Sequence, residues 1–218
     1  MKKLLSIDTS TSHAFAAISI DGSEMVIEQS VQRKHAQTLL PMIEELLASH
    51  QTSLQQLDGI VFGQGPGSFT GLRIACSVAK ALAYAHDLPL FPVSSLMAIA
   101  WNVRTSGKIN PECPILAMID ARMQQVYWGI FNDRHETVEQ VSDPVSIHVG
   151  SGEAIVLAGI GFEPYLPLLP ESTRGNISQQ IETYPNALSM IHLVQAGKIF
   201  PVDVAAAAPV YIRNKITQ

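Results

Sequence analysis

The sequence predicts an α/β protein made of two copies of one unit. Three observations lead there. Short β-branched runs alternate with alanine- and leucine-rich stretches at helical spacing. A glycine run, Gly63-Gln64-Gly65-Pro66-Gly67-Ser68-Phe69-Thr70-Gly71, separates a strand-like stretch from a helix-like one. The two halves also begin alike. Ile7-Asp8 returns as Ile119-Asp120 and Asp21 returns as Asp133, each pair 112 residues apart, which suggests a duplicated strand-strand-strand-helix unit.

Leu4 to Asp8 reads as a buried strand ending in a carboxylate, followed by the polar turn Asp8-Thr9-Ser10-Thr11-Ser12. Ala14 to Ile20 and Met25 to Val31 are strands joined by Asp21-Gly22, a strong hairpin signal. A helix follows from Gln37 to Ser49, with Leu39, Leu40, Ile43, Leu46 and Leu47 as its apolar stripe and Pro41 expected in its first turn. After the strand Gly59-Ile60-Val61-Phe62 and the glycine run comes a helix from Leu72 to His86, with Leu72, Ala75, Cys76, Ala79, Leu82 and Ala83 on one face. Ser68 or Thr70 can cap it. Pro89 to Val93 is another strand and Ser95 to Val103 another helix. Thr105 to Pro114 is a polar connector that places a boundary between residues 1–106 and 107–218. In the second half, Leu116 to Asp120, Val126 to Phe131 and Ala154 to Ala158 read as strands. Gly159-Ile160-Gly161 reads as a turn, Asn186 to Gly197 as a helix, and Pro209 to Arg213 as a closing strand.

At 218 residues the chain is long enough for one large domain or two small ones. Charged residues make up only 15%, which points to apolar surface kept for a partner. The net charge of −5, without a basic stripe, argues against nucleic-acid binding by the chain alone. Cys76 and Cys113 lie far apart and read as buried free thiols of a reducing compartment. Met1-Lys2-Lys3-Leu4-Leu5 begins like a signal peptide, but Ser6 and Asp8 end its apolar run, and no stretch approaches a membrane span. The expected location is the cytoplasm.

The glycine run fits neither phosphate motif. No Lys follows it as a P-loop requires, and its spacing is not that of a dinucleotide fingerprint. Two readings stay open: a tight turn that packs a helix on a sheet, or a direct ligand contact through Gly65, Gly67, Ser68 and Thr70. The seven histidines show no ligand spacing, and His35, after Arg33-Lys34, reads as solvated or interfacial. Ser94 and Ser95 lie in no nucleophile elbow. Trp101, Tyr127 and Trp128 read as core or rim aromatics.

Six stretches together resemble one family. Leu5-Ser-Ile-Asp-Thr-Ser-Thr11, Leu39-Leu-Pro-Met-Ile43, Gly65-Pro-Gly-Ser-Phe-Thr-Gly-Leu-Arg-Ile74, Val93-Ser-Ser-Leu96, Ile119-Asp-Ala-Arg-Met123 and Pro209-Val-Tyr-Ile-Arg213 are similar to the TsaB family, also called YeaZ. The match is dense to about Gly129 and thin from there to the closing motif. The resemblance implies an actin/hexokinase-like (ribonuclease H-like) fold, two lobes from a duplicated βββαβα unit, the second smaller and degenerate. It implies a role in threonylcarbamoyladenosine synthesis on the tRNA adenosine beside the anticodon. There a TsaB subunit pairs with the catalytic paralogue TsaD and with the ATPase TsaE, while TsaC supplies threonylcarbamoyl-adenylate. It implies a homodimer when alone, contact with tRNA only through the complex, and no cofactor bound by the chain itself. ATP or ADP at an interface shared within the complex stays open.

In the resembled family the catalytic paralogue carries a His-x-x-x-His metal pair where this chain has Ser95 and Ile99, so the resemblance implies a non-catalytic subunit. The fold implies a degenerate phosphate-loop position at Asp8, Thr9 and Ser10, either a Mg-nucleotide contact or a strand-end cap. Asp120 and Arg122 take the matching turn and either pair with each other or bridge the lobes. The partner surface is expected on Leu39, Leu40, Ile43, Leu72, Ala75, Cys76, Ala79 and Leu82. Two other readings remain: a peptidase-like or nucleotide-binding enzyme of the same fold, and a regulatory homodimer that controls the paralogue.

Overall fold

The computed structural model describes residues 2–30, 35–132, 138–150 and 152–213. Val31, Arg33, Lys34 and Asp133 of the sequence reading lie outside them. The chain divides into two units, Met1–Ala98 with Pro185–Val210, and Ile99–Tyr184 with Tyr211–Gln218.

The first unit opens with β1 (Leu4–Asp8), β2 (His13–Ile20) and β3 (Ser23–Ser30), an antiparallel meander. Asp21 and Gly22 both take positive φ, +49° and +87°, as the predicted two-residue hairpin requires. Helix α1 (His35–Ser49) leads to β4 (Gly59–Gly65), parallel to β1. Helix α2 (Phe69–His86) leads to β5 (Leu90–Ser94), and the sheet order is β3-β2-β1-β4-β5. Strand alternation turns Leu5 and Ile7 of β1 toward α1 and α2, where Leu39, Met42, Leu46, Cys76 and Ala79 complete a buried core. Helix α3 (Ser95–Thr105) then carries the chain into the second unit.

The second unit repeats the sheet. Strands β6 (Ile115–Arg122), β7 (Gln125–Phe131) and β8 (Gln140–Ser142) form the meander. β9 (Ile155–Ile160) runs parallel to β6, and β10 (Ile177–Glu182) parallel to β9. The order β10-β9-β6-β7-β8 is that of the first sheet, strand for strand. The helices are not repeated at full length. A 3-10 turn at Pro144–Ser146 stands where α1 does, and a 3-10 turn at Glu163–Leu168 with the six-residue α4 (Glu171–Asn176) where α2 does. Leu116, Met118, Trp128, Ile147, Leu157 and Phe162 form this unit's core.

The expected boundary at 106/107 differs from this division. Helix α5 (Ala187–Gln195) packs on β1, β2 and β4, so Pro185–Val210 belong to the first unit. Its apolar residues Met190, Ile191, Leu193 and Val194 are buried there. Three further expectations need correction. Pro41 lies in the interior of α1, which starts at His35, so it removes one helical hydrogen bond there. Pro209 to Arg213 form no strand; Val210 N–H donates instead to the Gln64 carbonyl at 2.8 Å. Gly159 and Ile160 continue β9 rather than starting a turn. Strands β8 and β10 and helix α4 were not expected. β10 reads Ile-Ser-Gln-Gln-Ile-Glu, a polar edge strand without the apolar run of a central one.

Candidate functional site

The first-lobe turn is built by β1, β4 and the start of α2. Asp8, at the end of β1, has no exposed surface. Its Oδ1 accepts from Ser10 N–H at 3.1 Å and from Ser10 Oγ at 2.9 Å. Thr9 Oγ1 donates to the Gly71 carbonyl at 2.7 Å, and Ser68 N–H donates to the Ser10 carbonyl at 2.7 Å. Ser68 also caps α2, its Oγ accepting from Gly71 N–H at 3.4 Å. Two of the backbone N–H groups that a helix N-terminus beside a glycine turn would offer to an anion, those of Ser68 and Gly71, are thereby engaged within the turn.

The glycines make this closure possible. A Cβ on Gly71 would stand 1.7 Å from the Thr9 carbonyl oxygen, and one on Gly67 2.4 Å from that of Ser10. On Gly63 it would stand 1.8 Å from Asp8 Oδ2. Gly65 takes φ +110°, and a Cβ there would meet Leu72 and the Val210 carbonyl. Gly65 and Gly67 are the glycines expected to matter; Gly63 and Gly71 matter as much, against Asp8 and Thr9 far upstream in the chain. Thr70 is exposed. Burial pushes the Asp8 carboxyl up to about 7, against the opposing pull of the Ser10 hydrogen bonds. Among the described residues its Oδ2 has no hydrogen-bond partner.

The matching turn of the second unit is open. Asp120 Oδ1 accepts from Arg122 N–H at 2.8 Å and from Tyr165 Oη at 2.7 Å. Its Oδ2 pairs with the Arg122 guanidinium at 3.1 Å, so the two residues pair with each other. The hydrogen bond to Asp120, then burial, raises the Tyr165 pKa above the ordinary phenol range. Arg122, Met123 and Gln124 all take positive φ, between +54° and +62°. Arg213 steadies that run, donating to Gln125 Oε1 at 2.8 Å and to the Arg122 carbonyl at 3.4 Å. Tyr165 and Arg213 escaped the sequence reading as site residues, because nothing local marks a partner that far away.

The expected partner surface needs correction. Leu39, Ile43, Leu72, Ala75, Cys76 and Ala79 are buried within the first unit, and Leu82 is half-buried. The sheet takes the apolar face of each helix, so these side chains cannot meet a partner. The residues that do face outward include Leu40, Glu44, Phe69, Arg73, Ser77 and Tyr84, the last 83% exposed. The Arg73 guanidinium lies 3.9 Å from the Phe69 ring centroid. Ser95 and Ile99 are both fully buried, while Ser94 Oγ accepts from Met97 N–H at 3.1 Å. Cys76 is buried, but Cys113 is partly exposed, contrary to expectation. His35 is half-buried, and that burial lowers its pKa. Trp128 is buried and donates to Ser142 Oγ at 2.9 Å.

Comparison with known proteins bears on what these turns belong to. The family described as "TsaD: tRNA N6-adenosine threonylcarbamoyltransferase" matches residues 23–159. The tRNA threonylcarbamoyladenosine biosynthesis protein TsaB of Haemophilus influenzae is 33% identical over 98% of this chain and 94% of its own. That of Escherichia coli is 34% identical over 98% and 96%. The solved structure of YeaZ from Pseudomonas aeruginosa superposes with a TM-score of 0.82 at 33% identity, covering 97% of this chain and all of its own. A second Pseudomonas aeruginosa structure, of an uncharacterized protein with similarity to peptidase YeaZ, reaches 0.86 at 32%, covering 98% and 100%. With an actin/hexokinase-like fold in both units, the chain belongs to the TsaB (YeaZ) family of tRNA threonylcarbamoyladenosine biosynthesis proteins.

Proposed function

We propose that this chain is a non-catalytic subunit in threonylcarbamoyladenosine synthesis, needed because it pairs with a TsaD-like catalytic paralogue and with a TsaE-like ATPase. The closure of the Asp8 turn carries this reading. Thr9, Ser10, Ser68 and Gly71 bond to one another rather than offering a cradle, and the turn holds no Lys. Ser95 and Ile99, standing in place of the paralogue's histidines, support it further, since both are buried and neither suits a metal. The net charge of −5 fits contact with tRNA through the complex rather than by the chain alone, in the cytoplasm. ATP or ADP then binds, if anywhere, at an interface shared with the partner.

The partner lies on the outer face of α1 and α2, over Leu40, Phe69, Arg73 and Tyr84. A groove of about 430 Å³ beside Phe69, lined by Arg73, Ile74, Ser77 and Val78, gives that face its relief. The same patch serves a homodimer when the chain is alone, so the two associations exclude each other. The peptidase-like alternative gains nothing from Ser95, which is fully buried, or from Ser94, whose Oγ caps a helix.

Co-purification with the paralogue tests this. Phe69→Asp and Tyr84→Glu place unpaired charges in the proposed interface and cost it several kcal/mol, enough to abolish a micromolar complex. Folded variants that keep both associations contradict the assignment. Stoichiometric metal on the isolated chain, or its own ATP turnover, contradicts the non-catalytic reading.

A further inference from the structure

Strand β3 ends the first unit's sheet, and among the described residues β2 is the strand it pairs with. That pairing is unbroken over eight residues, from Ile20 opposite Ser23 to His13 opposite Ser30. A two-residue turn closes on a hydrogen-bonded pair, here Ile20 and Ser23. Alternation then points the backbone groups of Ser23, Met25 and Ile27 inward to β2. Those of Glu24, Val26 and Glu28 point away from the sheet.

Exposed edges are ordinarily guarded by Pro, Lys, a bulge or short length. β3 has none of these. Its guard is of one sign: Glu24 and Glu28 stand two residues either side of Val26, which is 40% exposed. A second copy pairing antiparallel about Val26 would set Glu24 opposite Glu28, a destabilising like-charge pair. A segment with Lys or Arg at those positions would be matched instead. Each glutamate already has one histidine neighbour, His192 at 2.9 Å from Glu24 Oε1 and His13 at 3.8 Å from Glu28 Oε1.

A cleft of about 500 Å³ adjoins this edge, lined by Ile20, Ser23, Met25, Ser49, His50 and Gln51. It lies at the C-terminal end of α1, where the helix dipole favours positive charge. His50 ties the two walls together, its ring 3.2 Å from the Leu46 carbonyl and 3.3 Å from Ser23 Oγ. A side chain on a strand laid beside β3 would have this space open to it.

We propose that the β3 edge and its cleft form a docking site for an extended basic segment of another protein, which adds antiparallel to β3. Main-chain hydrogen bonds supply affinity, and the flanking carboxylates and cleft supply selectivity.

The probe is an acetylated, amidated peptide Thr-Lys-Thr-Val-Thr-Lys-Thr, titrated at low salt into the isotope-labelled full chain. Binding is expected to shift the amides of Glu24, Val26 and Glu28. Val26→Pro removes the outward N–H and no bond to β2, and weakens binding at least about tenfold. Glu24→Gln with Glu28→Gln weakens it roughly five- to tenfold. Glu24→Lys with Glu28→Lys, which leaves the backbone intact, transfers the preference to the Thr-Glu-Thr-Val-Thr-Glu-Thr peptide. The proposal is overturned if the lysine peptide does not bind at up to about 1 mM, or if it binds these variants as it binds the wild type. It is equally overturned if the wild type self-associates through β3 and Val26→Pro abolishes that, since the occupant is then a second copy.

Discussion

At Asp8 the chain leaves β1 for β2, and at Asp120 it leaves β6 for β7, the same step in two copies of one sheet. A glycine lies beside each aspartate, Gly63 of β4 beside Asp8 and Gly161, just past the end of β9, beside Asp120. From there the two turns part. Asp8 is sealed in, its Oδ1 bonded to Ser10 and, among the described residues, paired with no cation, and burial carries its carboxyl up to about 7. Asp120 keeps 22% of its side chain exposed and is held by Arg122 and Tyr165. Strain is distributed the other way. The first turn relies on glycines for its close approaches, whereas the second holds three consecutive non-glycine residues at positive φ. One topological position therefore gives a packed joint in one copy and an exposed, clamped loop in the other.

The glycines break this comparison most severely. Gly71→Ala drives a Cβ against the Thr9 carbonyl oxygen, a backbone atom with nowhere to go, and should lower stability by about 5 kcal/mol. Gly161→Ala in the open turn meets Asp120 Cβ at 3.0 Å and a φ of +65°, and should cost only about 1–2 kcal/mol. Denaturant titration of both variants checks the difference.

The buried carboxyl gives the next effect. The ordinary carboxyl value is 3.8 and the folded value about 7, so the folded chain keeps a proton that the unfolded chain releases. The resulting stability is complete below about pH 4 and is lost as the pH rises through about 7, in all about 4 kcal/mol. Asp8→Asn should flatten that fall, leaving the variant more stable than wild type at about pH 8. Asp120→Asn should instead lower stability by under about 1 kcal/mol, through the lost pair with the exposed Arg122. Unfolding curves measured across this pH range separate the two.

Much of the sheet framework was legible because hydrophobic alternation and Asp21-Gly22 are local signals, and because the 112-residue offset is a match of the chain to itself that requires no contact to be known. The repeat survives in strand order although the second copy lost its long helices. What stayed hidden depended on distant partners. The fit of Gly71 against Thr9 joins elements 62 residues apart, and the Tyr165 bond to Asp120 spans 45. The outward face of α2 was misjudged because its alanines suit a partner helix and a sheet equally. Ala75 and Ala79 went to the sheet, leaving Phe69 and Tyr84 outside. Pro185–Val210 went to the first unit because α5 covers β1, β2 and β4, a pairing that no spacing reveals.

The smallest effect sharpens the comparison from the strained side. Gln124→Gly relieves a side chain held at φ +60° and should raise stability by about 0.5–1 kcal/mol, where an equivalent change in the relaxed first turn would lower it. Thermal unfolding of this variant is sufficient to see it.

Reconstitution is the most direct test of a closed Asp8 turn in a partner subunit. Threonylcarbamoyladenosine is measured on tRNA after incubation with a TsaD-like paralogue, a TsaE-like ATPase and this chain, either wild type or Asp8→Asn. Omitting the chain should abolish the modification, while folded Asp8→Asn should restore it to within about twofold of wild type, a difference under about 0.5 kcal/mol. If Asp8→Asn folds, still binds the paralogue and yet supports no modification, the carboxylate acts in the chemistry, and the reading of this turn as a structural joint is wrong.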